Sequence, residues 1–481
     1  MESNPVNLKK MREASYPVKP EYMPCNESAK HVLDLIYKQL DCTPKGSGKG
    51  KRVKAYTYFL SGFLAATQRA SVVIDGVITI PRDSHYWSQY KHVGRQVANN
   101  VTEGLIRLGL IDKVHGSGEK HIWQDDQGNW CSDGVASQYN VSDTLIQQDA
   151  FGEAVWTNVG KTEVLISKEE TFLQRQRRIS EGRKSIKLTS NQVEMVFNKR
   201  DYKKIGLLER RVRKLNTHWL KHPLVIPPNV NGYCIHCSSA TRIFHNGSIR
   251  SGGRYYGEWT NLKSWSRRRA TIDGETIVQI DLNASQPTLF SSLMGYKMGV
   301  GKKWEDLYDV VVEPLEGEDK RAKAKQVAME LIGTGNPYKK APASDCNIEF
   351  NSEGLAADGE GNILNEYGVY RHRLLEVVPA LAELNREYLN GAGYLSYHEA
   401  EIMTLSLEKL MSLDIPAYPM HDCLIVKKSD QDKAIDVYRA TARQYIYEQS
   451  TKNGQSSINI ILPITIEYRG DKHRLAGYYL D

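Results

Sequence analysis

Apolar side chains recur every fourth residue in one stretch of the chain. The positions are Val93, Val97, Val101 and Leu105. Because residues four apart lie on the same side of an α-helix, this spacing predicts a helix with one buried face. Gly109 follows where a helix C-terminus is expected, since glycine adopts the left-handed backbone conformation without strain. An extended run then begins at 110–111, a turn is predicted at 116–118, and 121–123 returns as the second strand of a short hairpin.

Later apolar runs alternate between strand-like and helix-like patterns. Runs rich in β-branched residues predict strands near 277–282, 417–427 and 458–467. Helical patterns predict helices near 319–332, 370–389 and 396–413. One further helix is predicted around the sequence HVLDLIYKQL at 31–40.

Four regions are predicted along the chain. Residues 1–52 form a polar arm and a helix, and they end in a linker rich in glycine and lysine at 44–52. Residues 53–150 are predicted to form a compact α/β module. Residues 151–221 form a basic, mostly helical segment. Residues 222–481 form the largest block, so the predicted fold class is α+β.

The composition is that of an ordinary globular protein, with 40% apolar and 25% charged residues among 481. The longest apolar stretch, 56–67, is too short to span a bilayer, and the N-terminal sequence lacks the apolar region of a secretory signal. Seven cysteines, an odd number, agree with a reducing compartment. We therefore expect a cytoplasmic protein with no membrane partner.

The formal net charge of +7 is unevenly distributed. Residues 161–221 carry 17 lysines and arginines against 7 aspartates and glutamates, an excess of +10, so the rest of the chain sums to −3. Such a run can be a solvated helical face, but ten excess charges in one short segment exceed what solubility requires. The segment is therefore predicted to bind a polyanion such as nucleic acid.

One close pair of cysteines, Cys234 and Cys237, flanks His236, and His245 is the nearest further candidate ligand. Tetrahedral zinc requires four ligands, so a single pair is a weak indication of a metal site. We favour the alternative interpretation, which is a strand that carries two small thiols.

Two aspartates stand at the ends of strand-like runs. Asp281 closes the β-rich run 276–280, and Asp422 lies in a short break between two extended apolar stretches. The second pattern predicts a hairpin with the acid at its turn. Two carboxylates on neighbouring strand ends can hold a pair of Mg²⁺ ions that stabilise the attacking and leaving oxygens of a phosphoryl transfer. Taken singly, either residue would be an ordinary surface aspartate.

Between the two aspartates lies a well-marked helix sequence, with acidic residues at 316–319 and a glycine- and proline-containing end at 333–337. Arg321, Lys325 and Met329 are each four residues apart and therefore share a face. A guanidinium and an ammonium group one turn apart suit the binding of a triphosphate, although both are also common as solvated surface charges.

A glycine pair stands upstream of the first aspartate. Gly252 and Gly253 are followed by Arg254, several aromatic residues, Asn261 and Leu262. Adjacent glycines permit a backbone to approach a ligand closely, and an arginine among aromatic residues suits a nucleic-acid strand. In isolation the stretch is equally compatible with an ordinary loop.

In their order along the chain, these four elements resemble the palm and fingers motifs of family A DNA polymerases and of the related phage-type single-subunit RNA polymerases. Asp281, within QIDLNASQ, matches the metal-binding aspartate that ends the first motif. Arg321 and Lys325 match the Arg-x3-Lys of the fingers helix, and His421 with Asp422 matches the His-Asp hairpin. The Gly-Arg-x6-Asn-Leu element of the DNA polymerases is matched by Gly253, Arg254, Asn261 and Leu262. The resemblance covers about residues 240–430.

This resemblance implies a right-hand polymerase core, with an antiparallel palm sheet and helical fingers, that transfers nucleotides by two-metal catalysis. Two Mg²⁺ ions would be held by Asp281, Asp422 and the carbonyl oxygen of Leu282. The incoming nucleoside triphosphate would be bound by Arg321, Lys325, Met329 and Gln286, with Gln286 beside the sugar. The DNA primer and template would be bound by Arg254, Asn261 and His421.

The chain departs from the family at several positions. Gln286 stands where the DNA polymerases have a glutamate that helps to exclude ribose, and Cys423 stands where they usually have a glutamate after the hairpin aspartate. Met329 is closer to the RNA polymerases. Gly333-Thr-Gly335 replaces the Tyr-Gly that ends the helix in both branches, which leaves template-base gating and sugar selection open.

Among these possibilities we favour a DNA polymerase of a plasmid, phage or other mobile element. One alternative is a single-subunit RNA polymerase or primase-like enzyme. Another is a catalytically inactive DNA-binding replication or regulatory protein. The first 220 residues contain no acidic exonuclease motif, so no proofreading domain is expected.

The helix and hairpin predicted at 93–123 resemble the end of a winged helix-turn-helix. In that family the helix enters the major groove of DNA and the hairpin forms the wing. The polar face of the helix would present Arg95, Gln96, Asn99 and Asn100. Because many winged domains bind protein or serve only in packing, DNA contact by this module is one of two open alternatives.

Overall fold

A computed structural model of the chain describes residues 16–40, 49–158, 163–166, 199–226 and 235–480. Within these ranges, short gaps lie at 74–76, 82–85, 88–89, 91–92, 116–119, 125–129, 135–136, 147–148, 246–247, 263, 344–345, 358–360, 362, 385–390, 453 and 455–457. About half of the predicted basic segment and Cys234 therefore lie outside the described residues.

The helices and strands alternate irregularly along the chain. The helices are α1 Glu27–Gln39, α2 Lys49–Val73, α3 Arg95–Arg107, α4 Asp143–Ile146, α5 Asp149–Gly152, α6 Lys199–Lys221, α7 Ser264–Arg267, α8 Ser285–Leu293, α9 Leu307–Val312, α10 Lys320–Thr334, α11 Glu366–Val377, α12 Gly391–Ser412 and α13 Gln431–Lys452. The strands are β1 Tyr16–Pro17, β2 Tyr22–Pro24, β3 Val77–Ile80, β4 Ile111–His115, β5 Lys120–Gln124, β6 Trp130–Gly134, β7 Ser137–Val141, β8 Trp156–Asn158, β9 Val164–Ile166, β10 Leu224–Ile226, β11 Ile235–Cys237, β12 Ala240–Phe244, β13 Gly252–Gly257, β14 Thr271–Ile272, β15 Glu275–Leu282, β16 Lys303–Trp304, β17 Ala356–Ala357, β18 Ile363–Leu364, β19 Ala417–Met420, β20 Cys423–Lys427, β21 Ile460–Ile461, β22 Ile464–Tyr468, β23 Asp471–Leu475 and β24 Gly477–Tyr479.

The fold is of the mixed α+β class, and most of its strand pairs are antiparallel, which confirms the predicted class. The chain divides into two compact units. The first unit comprises residues 1–163 and 219–241, and the second comprises 164–218 and 242–481. Among the described residues, no helix combines the length and the apolar character needed to cross a bilayer.

In the first unit, helices α1, α2 and α3 share one apolar core with the sheet β1-β3-β7-β4. Phe59 of α2 is fully buried, and its ring centroid lies 5.5 Å from that of Trp87. The apolar face predicted for α3 is confirmed, because Val101 and Leu105 are fully buried. The predicted glycine end is confirmed too: Gly109 has a φ of 65°, which allows the Leu110 amide to donate to the Leu105 carbonyl.

The strand pairing after α3 differs from the prediction. Strand β4 pairs with β7, from Ile111 opposite Val141 to His115 opposite Gln138, whereas β5 pairs with β6. The short hairpin between 111 and 123 was therefore wrong, and its predicted turn at 116–118 lies outside the described residues. A glycine-rich stretch permits a turn but does not impose one, and the partner strand is chosen by burial of apolar side chains, which β7 supplies through Tyr139 and Val141.

A second prediction in this unit needs correction. Residues 44–52 were expected to form a linker, but α2 begins at Lys49, so the end of that stretch is helical. Gly50 stands in the first turn of the helix, where backbone freedom costs little helical stability because few intrahelical hydrogen bonds depend on it. The later residues of α2 carry the apolar side chains that hold the helix in the core.

The second unit is built on an antiparallel sheet with the order β19-β20-β15-β22-β23. Strand β15 lies at its centre, and the predicted strand at 277–282 is confirmed. Val278 and Ile280 of this strand are fully buried. The strand predicted at 458–467 is interrupted, because Pro463 separates β21 from β22.

Three helices of the second unit occupy the regions where helices were predicted. Helix α10 closely matches the prediction at 319–332, and α12 begins slightly before the predicted 396–413. The helix predicted at 370–389 is shorter: α11 ends at Val377, and a 3₁₀ turn follows from Pro379. Proline at this point disfavours helical backbone at the residue before it and so ends the helix.

Part of the predicted basic segment is visible as α6. Its Arg211 donates to both carboxylate oxygens of Glu408, at 2.6 and 2.9 Å, and lies 3.5 Å from Glu401. This arginine is therefore used within the second unit.

Cys237, from the pair considered for zinc, is buried on β11, while its predicted partner lies outside the described residues.

Candidate active site

The two predicted aspartates lie beside each other at one end of the central sheet of the second unit. Asp281 of β15 stands opposite Cys423 of β20 and opposite Thr465 of β22. Directly opposed residues of antiparallel strands have Cα atoms about 4.5–5.5 Å apart. Asp422 immediately precedes Cys423, so the backbone of the sheet brings the two carboxyl groups into one site.

The hairpin that carries Asp422 has a turn of only two residues. Met420 pairs with Cys423, which leaves His421 and Asp422 as the loop, and His421 has a φ of 59°. The predicted hairpin with an acid at its turn is therefore confirmed. The hydroxyl of Tyr438, on α13, donates to the carbonyl of Asp422 at 2.7 Å and holds the turn against the helix.

The charges of the two aspartates are poorly compensated. Burial, followed by the neighbouring Asp422, raises the pKa of Asp281 to about 7, although Lys325 and Lys472 oppose this rise. Burial and then Glu399 raise the pKa of Asp422 to about 6. Within the described part of the chain, neither carboxylate forms an ion pair. Removing such groups from water is costly unless a cation or hydrogen bonds compensate, so the pair is suited to a bound cation.

A third carboxylate, which the sequence analysis missed, completes the acidic cluster. Glu399 of α12 is only 4% exposed. Its Oε1 accepts from the Ser285 hydroxyl at 2.5 Å, and its Oε2 accepts from Gln286 at 3.3 Å and pairs with the Arg254 guanidinium. Glu399 also influences the pKa of both aspartates. Glu399 thus connects α12 to α8, through Ser285 and Gln286, and to β13, through Arg254.

The sequence did contain an indication of Glu399. Leu395, Ile402 and Met403 form the buried stripe of α12, and Glu399 stands at a position that belongs to this stripe. A charged residue in a buried stripe is rare unless it is paired. That pattern marks a buried ion pair, but it names no partner, because the partner comes from a distant strand.

The connection from β15 to α8 positions several of these side chains. Leu282 lies at the end of β15 opposite Ile464, with its side chain buried. Asn283 donates to the Glu305 carbonyl at 2.8 Å and accepts from the Thr465 hydroxyl at 2.6 Å. These bonds anchor the chain where it turns into α8, whose first turn carries Ser285 and Gln286.

Helix α10 presents the predicted phosphate-binding side chains on one exposed face. Lys325 lies near enough to Asp281 to affect its pKa. Arg321 instead forms ion pairs with Asp306 at 2.5 Å and Asp309 at 3.6 Å. Met329 is 57% exposed. The structure therefore brings Lys325 near Asp281 and leaves Arg321 paired with Asp306 and Asp309.

The three residues predicted to contact primer and template lie in different surroundings. Arg254 belongs to the acidic cluster, and His421 is part of the hairpin turn, with a pKa lowered by burial and by Arg254. The Nδ1 atom of His421 is buried and has no hydrogen-bond partner among the described residues. Asn261 is exposed at the end of a 3₁₀ turn, which Trp259 anchors by donating to the Pro419 carbonyl at 2.7 Å.

The glycine pair before Arg254 has a definite structural reason. Gly252 and Gly253 have φ values of 77° and 80°, in the left-handed region that favours glycine. A Cβ atom on Gly253 would also come within 2.6 Å of the Phe244 ring. The pair therefore allows β13 to lie close to β12, and it serves packing whatever else it does.

Comparisons with known proteins give little further information. No family model matches the chain, and no curated protein matches it. Among solved structures, the chain is similar to the POL domain of Pol1 from M. smegmatis in complex with DNA primer-template and dNTP, with 9% sequence identity and a TM-score of 0.28. The match covers 58% of this chain and 52% of that chain, so it spans about half of the solved structure. A likeness this weak carries no argument about function.

Proposed function

We propose that this protein is a template-directed nucleic-acid polymerase, and more specifically a DNA polymerase, whose nucleotidyl transfer depends on Asp281 and Asp422. The observation that carries the proposal is the pair of poorly compensated carboxylates held side by side by β15 and the β19–β20 hairpin. The motif resemblance supports it independently, because the same two residues match the metal-binding aspartates of the family A polymerases.

The donor set fits Mg²⁺. Magnesium prefers oxygen ligands and is commonly bound through one or two carboxylates together with substrate phosphates. The pKa values of Asp281 and Asp422 are raised first by burial and then by the neighbouring carboxylates, and no described cation pairs directly with either aspartate. When bound, Mg²⁺ supplies charge neutralisation and activation of the attacking hydroxyl. The carbonyl of Leu282, at the end of the same strand, is the proposed third ligand.

The other side chains have separate tasks in this proposal. Lys325 holds the triphosphate beside Asp281, and Arg321 joins it after exchanging its carboxylate partners for phosphate oxygens. Met329 lies beside the base and Gln286 beside the sugar. Arg254, Asn261 and His421 contact the primer and template. In this assignment the sheet around β15 is the palm, and the segment containing α9, α10 and α11 forms the fingers.

The basic segment at 161–221 and the module at 53–150 are proposed to hold nucleic acid for this core, the module through helix α3 and not through the hairpin that was predicted as its wing. The excess of ten positive charges in the segment supports the first assignment. The helix α3 supports the second, since Arg95 and Gln96 lie on its exposed side. Whether this module recognises a particular sequence is a separate question from catalysis.

A primed DNA template with labelled dNTPs or rNTPs and Mg²⁺ tests the proposed function. We expect the wild-type protein to extend the primer, and Asp281→Asn and Asp422→Asn to abolish extension. Asp436→Asn is the matched control, because Asp436 is an exposed aspartate of the same unit on α13. Incorporation of neither nucleotide class, with DNA binding intact, contradicts the proposal and favours the inactive DNA-binding alternative. Preferential incorporation of rNTPs favours the RNA polymerase alternative.

A further inference from the structure

We propose that Glu399 is a positioning residue that holds the Arg254 guanidinium away from Asp422 and so keeps the aspartate pair open to a divalent cation. The inference rests on the proposed function, because it concerns the cation that Asp281 and Asp422 would hold. It assigns Glu399 no direct contact with that cation.

The contacts of Glu399 leave it little capacity to bind metal itself. Oε1 accepts a hydrogen bond from Ser285 at 2.5 Å, and Oε2 is shared by Arg254 and Gln286. Both oxygens are thus occupied by groups of the protein. The side chain is also almost wholly buried, so these contacts are made out of water, where an ion pair and its hydrogen bonds are strongest.

Arg254 has two carboxylates within electrostatic reach. Burial tends to lower its pKa, but Glu399 first and Asp422 next overcome this effect. The guanidinium is already paired with Glu399 and has a buried Nε without a hydrogen-bond partner among the described residues. If Glu399 lost its charge, Asp422 would be the remaining carboxylate that attracts the Arg254 guanidinium. The guanidinium would then compete with a metal ion for Asp422.

Ser285 provides a second connection between the same groups. Its hydroxyl donates to Glu399 and is also a hydrogen-bonding neighbour of Asp422, whose pKa it lowers. Because a hydroxyl has one proton, it can donate to only one of these two carboxylates at a time. Glu399 therefore holds Ser285 in position beside Asp422, and it keeps the Arg254 guanidinium in an ion pair with itself. Groups that orient a metal-binding carboxylate typically change metal affinity by about 10–100-fold when they are mutated.

Helix α12 offers a matched control two residues away. Glu401 is partly buried, with its side chain 14% exposed, and it pairs with Arg242 at 2.9 Å and with Arg211 at 3.5 Å. Arg242 also donates to the carbonyl of Gly253 at 2.7 Å, but Glu401 itself pairs with neither Arg254 nor Gln286 among the described residues. Glu401→Gln thus removes a paired, partly buried charge from the same helix and leaves the Arg254–Glu399 pair in place. Any general effect of disturbing α12 will be common to both variants.

Mn²⁺ binding to the protein without DNA, followed by electron paramagnetic resonance of the free ion, tests the inference. We expect Glu399→Gln to weaken Mn²⁺ binding by about tenfold. The double variant Glu399→Gln/Arg254→Gln should return to within about threefold of wild type, since the competing cation is gone. Glu401→Gln should bind Mn²⁺ as the wild type does, even if it unfolds at a lower temperature.

Several outcomes overturn the inference. Wild-type affinity in Glu399→Gln, or equal weakness in the single and double variants, contradicts it. If Glu399→Gln does not fold, Arg254→Gln alone provides the test, because it should bind Mn²⁺ at least as tightly as the wild type, and weaker binding contradicts the inference. If Asp281→Asn leaves wild-type Mn²⁺ binding unchanged, the proposed metal site itself has failed instead.

Discussion

The Oδ2 atom of Asp306 lies 2.5 Å from the Nη2 atom of Arg321, and the Asp306 side chain is only 1% exposed. The arginine that the motif resemblance assigns to the triphosphate is thus already paired with a carboxylate. Arg321 itself is half exposed, so its pair with Asp306 is accessible to competing anions. Under the proposed function, nucleotide binding therefore competes with this ion pair.

Asp306→Asn is expected to increase nucleotide affinity. The variant removes the competing charge, while asparagine keeps the hydrogen bond to the Tyr308 amide that caps α9. Because partly exposed ion pairs contribute up to about 1 kcal/mol, we expect up to about a fivefold lower Kd for a fluorescent nucleotide analogue. The more exposed Asp309 provides the control, and Asp309→Asn should have a smaller effect. A higher Kd in Asp306→Asn contradicts the competition.

Removing one carboxylate of the aspartate pair should stabilise the metal-free protein. The pKa of Asp281 is about 7 in the folded chain against an ordinary value of 3.8, so the folded state binds more protons than the unfolded state between these values. Folding stability then falls as pH rises through this range. Asp281→Asn removes that penalty, and in EDTA we expect a higher Tm than wild type at pH 8 and a smaller difference at pH 5.

The converse holds when the metal is present. Added Mg²⁺ should raise the Tm of the wild type at pH 8, because binding to the folded state alone stabilises it. It should have little effect on Asp281→Asn. A metal-free Asp281→Asn that is less stable than wild type at pH 8 would show that the carboxylate is compensated by the protein.

His398 predicts the opposite dependence on pH at a site beside the acidic cluster. Its ring is buried and contacts the Tyr445 hydroxyl at 2.8 Å, and burial lowers its pKa from 6.5 to about 4. A histidine kept neutral in the folded state contributes stability above pH 6.5 that is lost as the pH falls towards 4. Denaturant unfolding at pH 7 and pH 5 should show about 2 kcal/mol more loss in wild type than in His398→Asn. Equal losses would show that the ring is protonated in the folded protein.

Neighbouring arginines of α6 should behave differently in DNA binding. Arg210 is exposed, whereas Arg211 is held by Glu408 and Glu401. Arg210→Gln should weaken DNA binding and reduce the salt dependence by about one phosphate contact. Arg211→Gln should mainly lower the Tm. Binding measured at several salt concentrations separates the two, and a flat salt response in wild type would indicate that the basic segment is only a solvated surface.

The sequence predicted the parts of the site that depend on local pattern. Asp281 and Asp422 were found because each interrupts an apolar run at a strand end, and the two strands that carry them are neighbours in the sheet. Glu399 and Asp306 were missed, because their roles arise from partners on other elements, Arg254 for Glu399 and Arg321 for Asp306. The pairing of β4 failed for a related reason: a turn permitted locally was overridden by the burial that a more distant strand offers.

The distances along the chain make this limit concrete. Glu399 and Arg254 are separated by 145 residues, and Arg321 and Asp306 by 15. Asp306 caps the start of α9 and Arg321 belongs to α10, so helical spacing alone could not reveal this pair. Periodicity reports which face of an element is buried, but the charged partner on that face is decided by tertiary packing.

The central position of β15 has a consequence for exchange with solvent. Asp281 and Leu282 stand on a strand that is paired along both edges, with β20 on one side and β22 on the other. Amide hydrogens in such a strand exchange only through openings that approach global unfolding. Asp281 is therefore anchored in a strand that is expected to exchange slowly, whereas Asp422 stands in the two-residue turn beside it, so under the proposed function the fluctuations that admit substrate come from the elements that surround β15.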